Sequence, residues 1–281
     1  MGGTNKMTLW IFGDSFSTDH KVETGTNWCN LWGEQHFEDV KNLSVGGSSN
    51  DHIMNKIIKT LSEMKSGDSV MVCWSALYRM CILGHHPIHL TNDLVIKSSD
   101  INTKIVKADK QMSDLLDTLA KNYYLNFFTE TKGWQELITQ IIAVHTMLKD
   151  KNIKLVQFLG HSDIASDSNL LADYLRDWEF RCVPEKLEPL FSEYCTRLPE
   201  SWCLLHSWMK IQSDLMNDQN EFKWTHHKHD IFDNYDDYTS ELFKDFSNSG
   251  QNMFVDIWHL NSYGHKLFAD YVSDTLCKEL L

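Results

Sequence analysis

A serine near one end of this 281-residue sequence and an aspartate–histidine pair near the other could together perform acyl transfer. Ser15 follows a short apolar run that ends at Gly13, and Asp256 precedes His259 by three residues. A histidine that a carboxylate orients can take the proton of a serine hydroxyl, which turns that hydroxyl into a nucleophile. The three residues therefore suggest a nucleophile, a general base and an orienting acid.

Ser15 would lie directly after a buried strand. Residues 7–12 form an apolar run that a glycine closes, which is typical of a strand entering a turn. Three further runs predict strands, over residues 40–45, 69–74 and 153–159. Helical periodicity covers residues 53–64, 105–125, 134–148, 170–180 and 261–276, the last capped by Asn261 or Ser262. Strands alternating with helices indicate a parallel sheet covered on both faces, and ligands bind at the carboxyl edge of such sheets.

The segments around these residues resemble sequence blocks of the SGNH, or GDSL-type, hydrolase superfamily of esterases and lipases. The first, second and last blocks are matched by Gly13-Asp14-Ser15, Asn42-x-x-x-Gly46-Gly47 and Asp256-x-x-His259-Leu-Asn-x-x-Gly-His. The last of these strings is far more specific than the first, because Gly-Asp-Ser alone is short enough to occur by chance.

The resemblance implies a role for each matched residue. Ser15 is the implied nucleophile, His259 the general base and then acid, and Asp256 the orienting carboxylate. The N–H groups of Ser15 and Gly47 are the implied oxyanion donors, with Gly46 as the alternative to Gly47. The implied activity is that of a serine esterase hydrolysing a small acyl ester, such as an O-acetyl group on a carbohydrate, through an acyl-enzyme. The alternatives are an acyltransferase using the same triad and a catalytically weakened binding or structural module.

The resemblance also implies the fold. We expect an α/β protein with a flavodoxin-like three-layer α/β/α sandwich, a central parallel sheet and an inserted, mostly helical region. A single domain would span residues 1–281, with insertions atypical of the family at about 80–130 and 161–250.

One block of the family has no counterpart here. The Gly-x-Asn-Asp block follows the third strand and supplies an Asn side chain to the oxyanion hole, where losing one donor costs about 100- to 1,000-fold in rate. The corresponding place reads Cys73-Trp74-Ser75-Ala76-Leu77-Tyr78-Arg79. We expect the Ser75 hydroxyl to donate instead, with Asn50 as the less favoured substitute.

Four residues near these blocks are candidates for substrate binding: Asp14, Asn50, Trp74 and Arg79. Arg79 suits an anionic or hydroxylated part of a substrate. Asp14 has a simpler use, because an aspartate at this place can cap the following helix or hold the turn. Flat aromatic faces can pack on sugar rings, although core packing is commoner for such side chains. The aromatic residues considered for this role are those at positions 74, 78, 134, 178, 202, 208 and 224.

Composition and charge argue against several other functions. The net charge is -13 and no basic cluster interrupts it, which disfavours nucleic acid as a partner. No apolar run reaches the length of a membrane span. The phosphate-binding patterns Gly-x-x-x-x-Gly-Lys and Gly-x-Gly-x-x-Gly are absent from the sequence. We therefore expect a small-molecule or carbohydrate ester as the partner, and the sequence leaves the oligomeric state open.

We expect no metal and no organic cofactor. Two histidine-rich segments lack any known ligand spacing and are more simply solvated loops; they contain His85, His86, His89 and His226, His227, His229, Asp230. The seven cysteines are odd in number and include no Cys-x-x-Cys, which favours reduced thiols. With no apolar signal core at the start, a cytoplasmic protein is expected. The excess of 22 Lys over four Arg suggests an AT-rich genome, such as that of a phage.

Overall fold

The computed structural model of the chain describes residues 7–19, 22–77, 79–82, 88–90, 118, 122–123, 126–160, 186–196, 254–256 and 259–280. Strands and helices follow one another along the described chain. In order they are β1 (Thr8–Phe12), α1 (Trp28–His36), β2 (Asp39–Asn42), α2 (Asn50–Thr60), β3 (Ser69–Trp74), β4 (Met80–Ile82), β5 (Ile88–Leu90), α3 (Glu130–Asp150), β6 (Lys154–Leu159), α4 (Glu188–Tyr194), β7 (Phe254–Asp256), β8 (His259–Leu260) and α5 (Ser262–Leu280).

The central sheet has four strands in the order β2-β1-β3-β6. All three neighbouring pairs run parallel, with Leu9 opposite Val40 on one side and opposite Ser69 on the other. This order places the first strand inside the sheet and corresponds to the first four strands of flavodoxin-like winding. Two small antiparallel pairs, β4 with β5 and β7 with β8, lie outside it.

Helices cover both faces of the sheet. Successive residues of a strand face opposite sides, so β1 contributes Leu9 and Ile11 to one core and Trp10 and Phe12 to the other. The first core is completed by α1 and α5, and the second by α2, α3 and α4. The predicted α/β architecture, with a parallel sheet between two helical layers, is thereby confirmed.

The predicted strands all form, with small differences at their ends. β3 occupies the predicted residues 69–74, whereas β2 is shorter than predicted and ends at Asn42. Helix α1 has no predicted counterpart. The helix expected at 170–180 lies outside the described residues, as does most of the helix expected at 105–125 and most of both expected insertions. The single domain and its insertions remain a prediction. Within the described part of the chain, none of the helices combines the length and apolar character needed to cross a membrane.

Candidate active site

Ser15 begins a short 3-10 turn, Ser15–Ser17, immediately after β1. The Asp14 carboxylate accepts a hydrogen bond from Phe16 N–H at 3.0 Å, and the Asp14 carbonyl accepts one from Ser17 N–H at 3.0 Å. Gly13 allows the tight packing behind this turn, because a Cβ at that position would lie 2.7 Å from Ser17 Oγ. The expected turn-holding role of Asp14 is therefore present in the structure.

The loop after β2 runs beside this turn. Backbone hydrogen bonds continue the β1–β2 pairing beyond the strands, from Leu43 N–H to the Ile11 carbonyl at 2.8 Å and from Val45 N–H to the Gly13 carbonyl at 3.1 Å. The Asn42 side-chain amide donates to the Ser17 carbonyl at 2.7 Å. The second block thus forms hydrogen bonds with the end of β1 and with the Ser15–Ser17 turn.

Gly46 and Gly47 form a turn directly beside Ser15. Ser48 N–H closes the turn on the Val45 carbonyl at 3.1 Å, and Gly47 has a φ of 75°, a left-handed conformation that favours glycine. A methyl group at Gly46 would lie 3.8 Å from the Ser15 Cβ. Among the described residues, no acceptor engages the N–H of Ser15, Gly46 or Gly47. These amides have the environment that an oxyanion hole requires, with donors not yet committed to another acceptor.

Side chains of the loop after β3 form hydrogen bonds with Asp14, the residue that precedes the Ser15–Ser17 turn. The Ser75 hydroxyl donates to Asp14 Oδ2 at 2.8 Å. Arg79 Nη1 donates to the same carboxylate oxygen at 2.5 Å and to Ser75 Oγ at 2.9 Å. Only 1% of Asp14 and 2% of Ser75 are exposed. The hydroxyl proton of Ser75 is therefore engaged by Asp14, and donating to an oxyanion would require Ser75 to change its hydrogen-bond partner.

Asn50 also contacts Ser75, through the main chain. Its Oδ1 accepts from Ser75 N–H at 2.7 Å, and its Nδ2 donates to the Ser75 carbonyl at 2.9 Å. Because Asn50 is the first residue of α2, this paired contact ties the second loop to the third. The structure thus brings Asp14, Asn50 and Arg79 together around Ser75.

Trp74, the remaining substrate-binding candidate, lies elsewhere. Its side chain is fully buried, with 0% exposed, in the core beneath α3. Its indole N–H donates to Gln157 Oε1 at 3.2 Å. Trp134 lies in the same core, whereas the aromatic residues at 78, 178, 202, 208 and 224 fall outside the described residues. The structure therefore places Trp74 and Trp134 in the interior, away from any surface that a substrate could touch.

Asp256 and His259 lie opposite each other in the β7–β8 pair. They are register partners, and Cα atoms in such antiparallel pairs are about 4.5–5.5 Å apart. Strand β8 lies against the Ser15–Ser17 turn, with Cα atoms of the two within 8 Å. Leu260, next to His259, packs in the same core as Phe16. The backbone thus brings the last sequence block to the turn that carries Ser15.

His265 has a structural contact that the sequence did not suggest. Its Nδ1 accepts from Trp28 N–H, the first amide of α1, at 3.2 Å, and its side chain is 3% exposed. Trp28 in turn donates its indole N–H to the Phe16 carbonyl at 2.9 Å. Asn261 accepts from Gly264 N–H at 2.9 Å and so caps α5, which decides between the two predicted caps. His265, at the end of the last block, is therefore linked through Trp28 to the Ser15–Ser17 turn.

His52 lies next to the glycine turn and was also not anticipated. Its Nδ1 is 3.0 Å from the Ser48 hydroxyl, and both side chains are buried. Burial, with Lys56 and Lys59 nearby, lowers the pKa of His52 from 6.5 to about 4. The imidazole is consequently neutral at physiological pH and able to share a proton with Ser48.

Within the described part of the chain, no group of three or more His, Cys, Asp and Glu side chains is placed to hold a metal ion. His89 lies in β5. The other residues of the two histidine-rich segments, which are His85, His86, His226, His227, His229 and Asp230, fall outside the described residues.

Comparisons with known proteins give structural likenesses at low identity. No protein-family model matches the chain, and no curated protein sequence matches it. The Bacillus subtilis protein YxiM is 12% identical with a TM-score of 0.43, over 98% of this chain and 57% of that one. A member of the lipolytic protein G-D-S-L family from Veillonella parvula is 13% identical with a TM-score of 0.40, over 97% of this chain and 99% of that one. Phospholipase A1 from Streptomyces albidoflavus is 14% identical with a TM-score of 0.35, over 93% and 95% of the two chains. Likenesses at this level carry no functional inference.

Proposed function

We propose that this chain is a serine ester hydrolase of the SGNH type, with Ser15 as nucleophile, His259 as general base and Asp256 as the orienting carboxylate. The observation that carries the proposal is the meeting of three sequence blocks at the carboxyl edge of one parallel sheet. The turn of Ser15 lies beside the Gly46–Gly47 turn and against the strand that begins at His259. A nucleophile, backbone donors and a histidine segment at one edge are the parts that acyl transfer needs.

Acylation begins when Ser15 Oγ attacks the carbonyl carbon of the ester and its proton passes to His259. The negative charge that develops on the carbonyl oxygen is stabilised by the N–H groups of Ser15 and Gly47. When the C–O bond breaks, His259 returns the proton to the leaving alcohol, and the acyl group stays on Ser15.

Deacylation follows the same steps with water as the attacking molecule. His259 takes a proton from the water molecule, the resulting hydroxide attacks the acyl-enzyme, and the carboxylic acid leaves as Ser15 recovers its proton. Asp256 holds the imidazole in one tautomer and stabilises its positive charge in both halves of the reaction.

A small acyl ester is the proposed substrate, with an O-acetyl group on a carbohydrate as the leading case. No long apolar stretch in the sequence suggests a tunnel for a fatty acyl chain. The choice can be tested by varying acyl length on one alcohol.

Reaction with a fluorophosphonate probe tests the proposed function. We expect the full chain to be labelled at Ser15 and to hydrolyse p-nitrophenyl acetate, and we expect Ser15→Ala to lose labelling and about 10⁴-fold or more of kcat. Peptide mapping by mass spectrometry locates the label. A wild-type chain that neither labels nor exceeds the Ser15→Ala background on short-chain esters would show that the proposal is wrong.

One observation favours a second function, that of a binding module which keeps the fold without turnover. The family's third-block Asn is missing, and the hydroxyl of Ser75 donates to Asp14. In that case a carbohydrate ester binds the chain and dissociates unchanged, which calorimetry and product analysis detect. Acyl transfer with the same triad is distinguished by adding a sugar acceptor, which then diverts acetyl groups from water.

A further inference from the structure

The Asp14 carboxylate is buried beside Ser15 and accepts from three donors within the part of the chain that the structure describes. Phe16 N–H and the Ser75 hydroxyl donate to it at 3.0 Å and 2.8 Å, and Arg79 Nη1 at 2.5 Å. A buried carboxylate with no positive partner is strongly disfavoured, so the guanidinium is a condition for keeping Asp14 in this place. Arg79 is itself largely withdrawn from solvent, with 15% of its side chain exposed.

The same contacts connect two loops at the carboxyl edge of the sheet. Asp14 follows β1, whereas Ser75 and Arg79 follow β3. Because Asp14 directly precedes Ser15 and its carboxylate holds Phe16 N–H, its orientation determines the course of the turn and the direction of the Ser15 N–H. Anything that moves the carboxylate moves the nucleophile's own amide.

We propose that Arg79 is a positioning residue of the nucleophile turn, acting through Asp14 and Ser75. By holding the carboxylate and the hydroxyl together, it fixes the Ser15 amide relative to the Gly46–Gly47 turn. This inference rests on the proposed ester hydrolysis, for which it assigns a residue with no counterpart in the matched sequence blocks.

Substrate binding is the competing use of Arg79, and the contacts argue against it. Nη1 already donates to Asp14 and to Ser75, at 2.5 Å and 2.9 Å. These acceptors belong to the protein, and both are almost fully buried. The contacts lie in the loop where the sequence lacks the third-block Asn. Asn50 joins this network by its paired contact with the Ser75 main chain, so the loops after β1, β2 and β3 are tied together.

The test uses the full chain with Arg79→Met, Arg79→Lys, Asp14→Asn and the double variant Asp14→Asn/Arg79→Met. For the neutral ester p-nitrophenyl acetate, we expect Arg79→Met to lower kcat about tenfold or more while KM changes less than about threefold, because small misplacement of reacting groups costs rate rather than affinity. Arg79→Lys should recover part of kcat, since it keeps the charge but makes fewer contacts. In the Asp14→Asn background, Arg79→Met should cost less than it does alone.

Lys132→Met is the matched control. It removes a basic side chain that is 43% exposed and 3.6 Å from Glu136 on α3, and we expect kcat and KM to stay at wild-type values. The rate of fluorophosphonate labelling at Ser15 should fall with kcat in Arg79→Met and stay constant in Lys132→Met. Circular dichroism and thermal unfolding establish that each variant is folded.

Four results would overturn the proposal. The first is an unchanged kcat in folded Arg79→Met. The second is a loss confined to KM of an anionic ester, mono-p-nitrophenyl succinate, since this would show direct contact with substrate. The third is full additivity of the losses in kcat that Asp14→Asn and Arg79→Met cause. If Arg79→Met does not fold, additivity is measured with Arg79→Lys, alone and together with Asp14→Asn. The fourth is a wild-type chain that neither labels nor hydrolyses esters, in which case the proposed function fails as well; the first three leave that function intact.

Discussion

Ser15 depends on its own turn and on the segment that follows β2 for its surroundings. Asp14 shapes its turn, Asn42 holds the far end of that turn at the Ser17 carbonyl, and Gly46 leaves space beside its Cβ. None of these contacts involves the Ser15 hydroxyl itself. Asp14 and Asn42 thus fix the backbone of the turn that carries Ser15, which is a form of the pre-organisation that electrostatic catalysis requires.

His52 gives the stability of the protein a dependence on pH. The unfolded chain takes up a proton at this residue near pH 6.5, whereas the folded chain does so only near pH 4. Between these values the unfolded state binds more protons than the folded state. The stabilisation that neutral His52 contributes is therefore complete above about pH 6.5 and is lost as the pH drops towards 4.

We expect His52→Gln to remove this part of the pH dependence. Urea unfolding at pH 4.5 and pH 7 measures the difference in free energy of unfolding for each protein. That difference should be smaller in the variant by about 1–3 kcal/mol, given that one pKa unit corresponds to about 1.4 kcal/mol. Equal differences in both proteins would contradict the shift assigned to His52.

At the scale of the elements, the glycine turn after β2 has a demanding conformation. Gly47 has a φ of 75°, in a region that costs an L-residue about 1–2 kcal/mol. Gly67 has a φ of 93° in the turn before β3, at the opposite edge of the sheet, and a Cβ added there would meet no atom within 4 Å. The two glycines therefore share a backbone requirement but not a location.

We expect Gly47→Ala and Gly67→Ala to lose similar stability and to differ in activity. Each should lower the free energy of unfolding by about 1–2 kcal/mol. Only Gly47→Ala should lower kcat for p-nitrophenyl acetate, by about tenfold or more, because relief of the strain turns the Gly47 N–H away from its place beside Ser15. Equal kcat values in the two variants would remove this turn from the proposed oxyanion hole.

The elements also show what a sequence can and cannot reveal. β3 was predictable because residues 70–74 form an unbroken apolar run, and all six residues of the strand are buried. Helix α1 was not, because Gly33 interrupts its pattern; a Cβ there would lie 2.9 Å from Leu9 Cδ2, so the glycine serves close packing on the sheet. A requirement of this kind arises from tertiary contact and leaves no local periodicity.

The site divides in the same way. The sequence blocks proposed Ser15 and the Gly46–Gly47 turn as neighbours, and the structure places the two side by side. The partner of Ser75 could not be found by such means, since Asp14 lies 61 residues earlier in the chain. Trp74 is likewise a candidate for sugar binding on sequence grounds, but its position in β3 directs the side chain into the core. Short-range pattern suggests the candidate residues, whereas long-range packing decides which neighbours contact them.

At the scale of the whole molecule, the sheet separates two apolar cores that share the strands β1, β3 and β6. Leu9 lies in the core beneath α1 and α5, and Ile57 lies in the core beneath α2 and α3. Because β1, β3 and β6 contribute side chains to both cores, loss of one core should weaken the other. This coupling is what a single domain predicts.

We expect Leu9→Ala and Ile57→Ala each to lower the free energy of unfolding by about 2–5 kcal/mol, as cavities in well-packed cores do. Tryptophan fluorescence and far-ultraviolet circular dichroism should report one common transition in the wild type and in both variants. The double variant should lose close to the sum, since the sheet separates the two sites. Two separate transitions, each moved by one substitution, would contradict a single domain.

The contact between His265 and Trp28 joins residues 237 positions apart. In order of synthesis, β1, β2 and β3 are complete long before α5 leaves the ribosome. Until then one face of the sheet, including Leu9, Ile11 and Met71, lacks the cover of Phe268 and Val272. An apolar face left open during translation invites aggregation. The nascent chain should therefore need protection by a chaperone until α5 emerges, and the turn that carries Ser15 should gain its support through Trp28 only then.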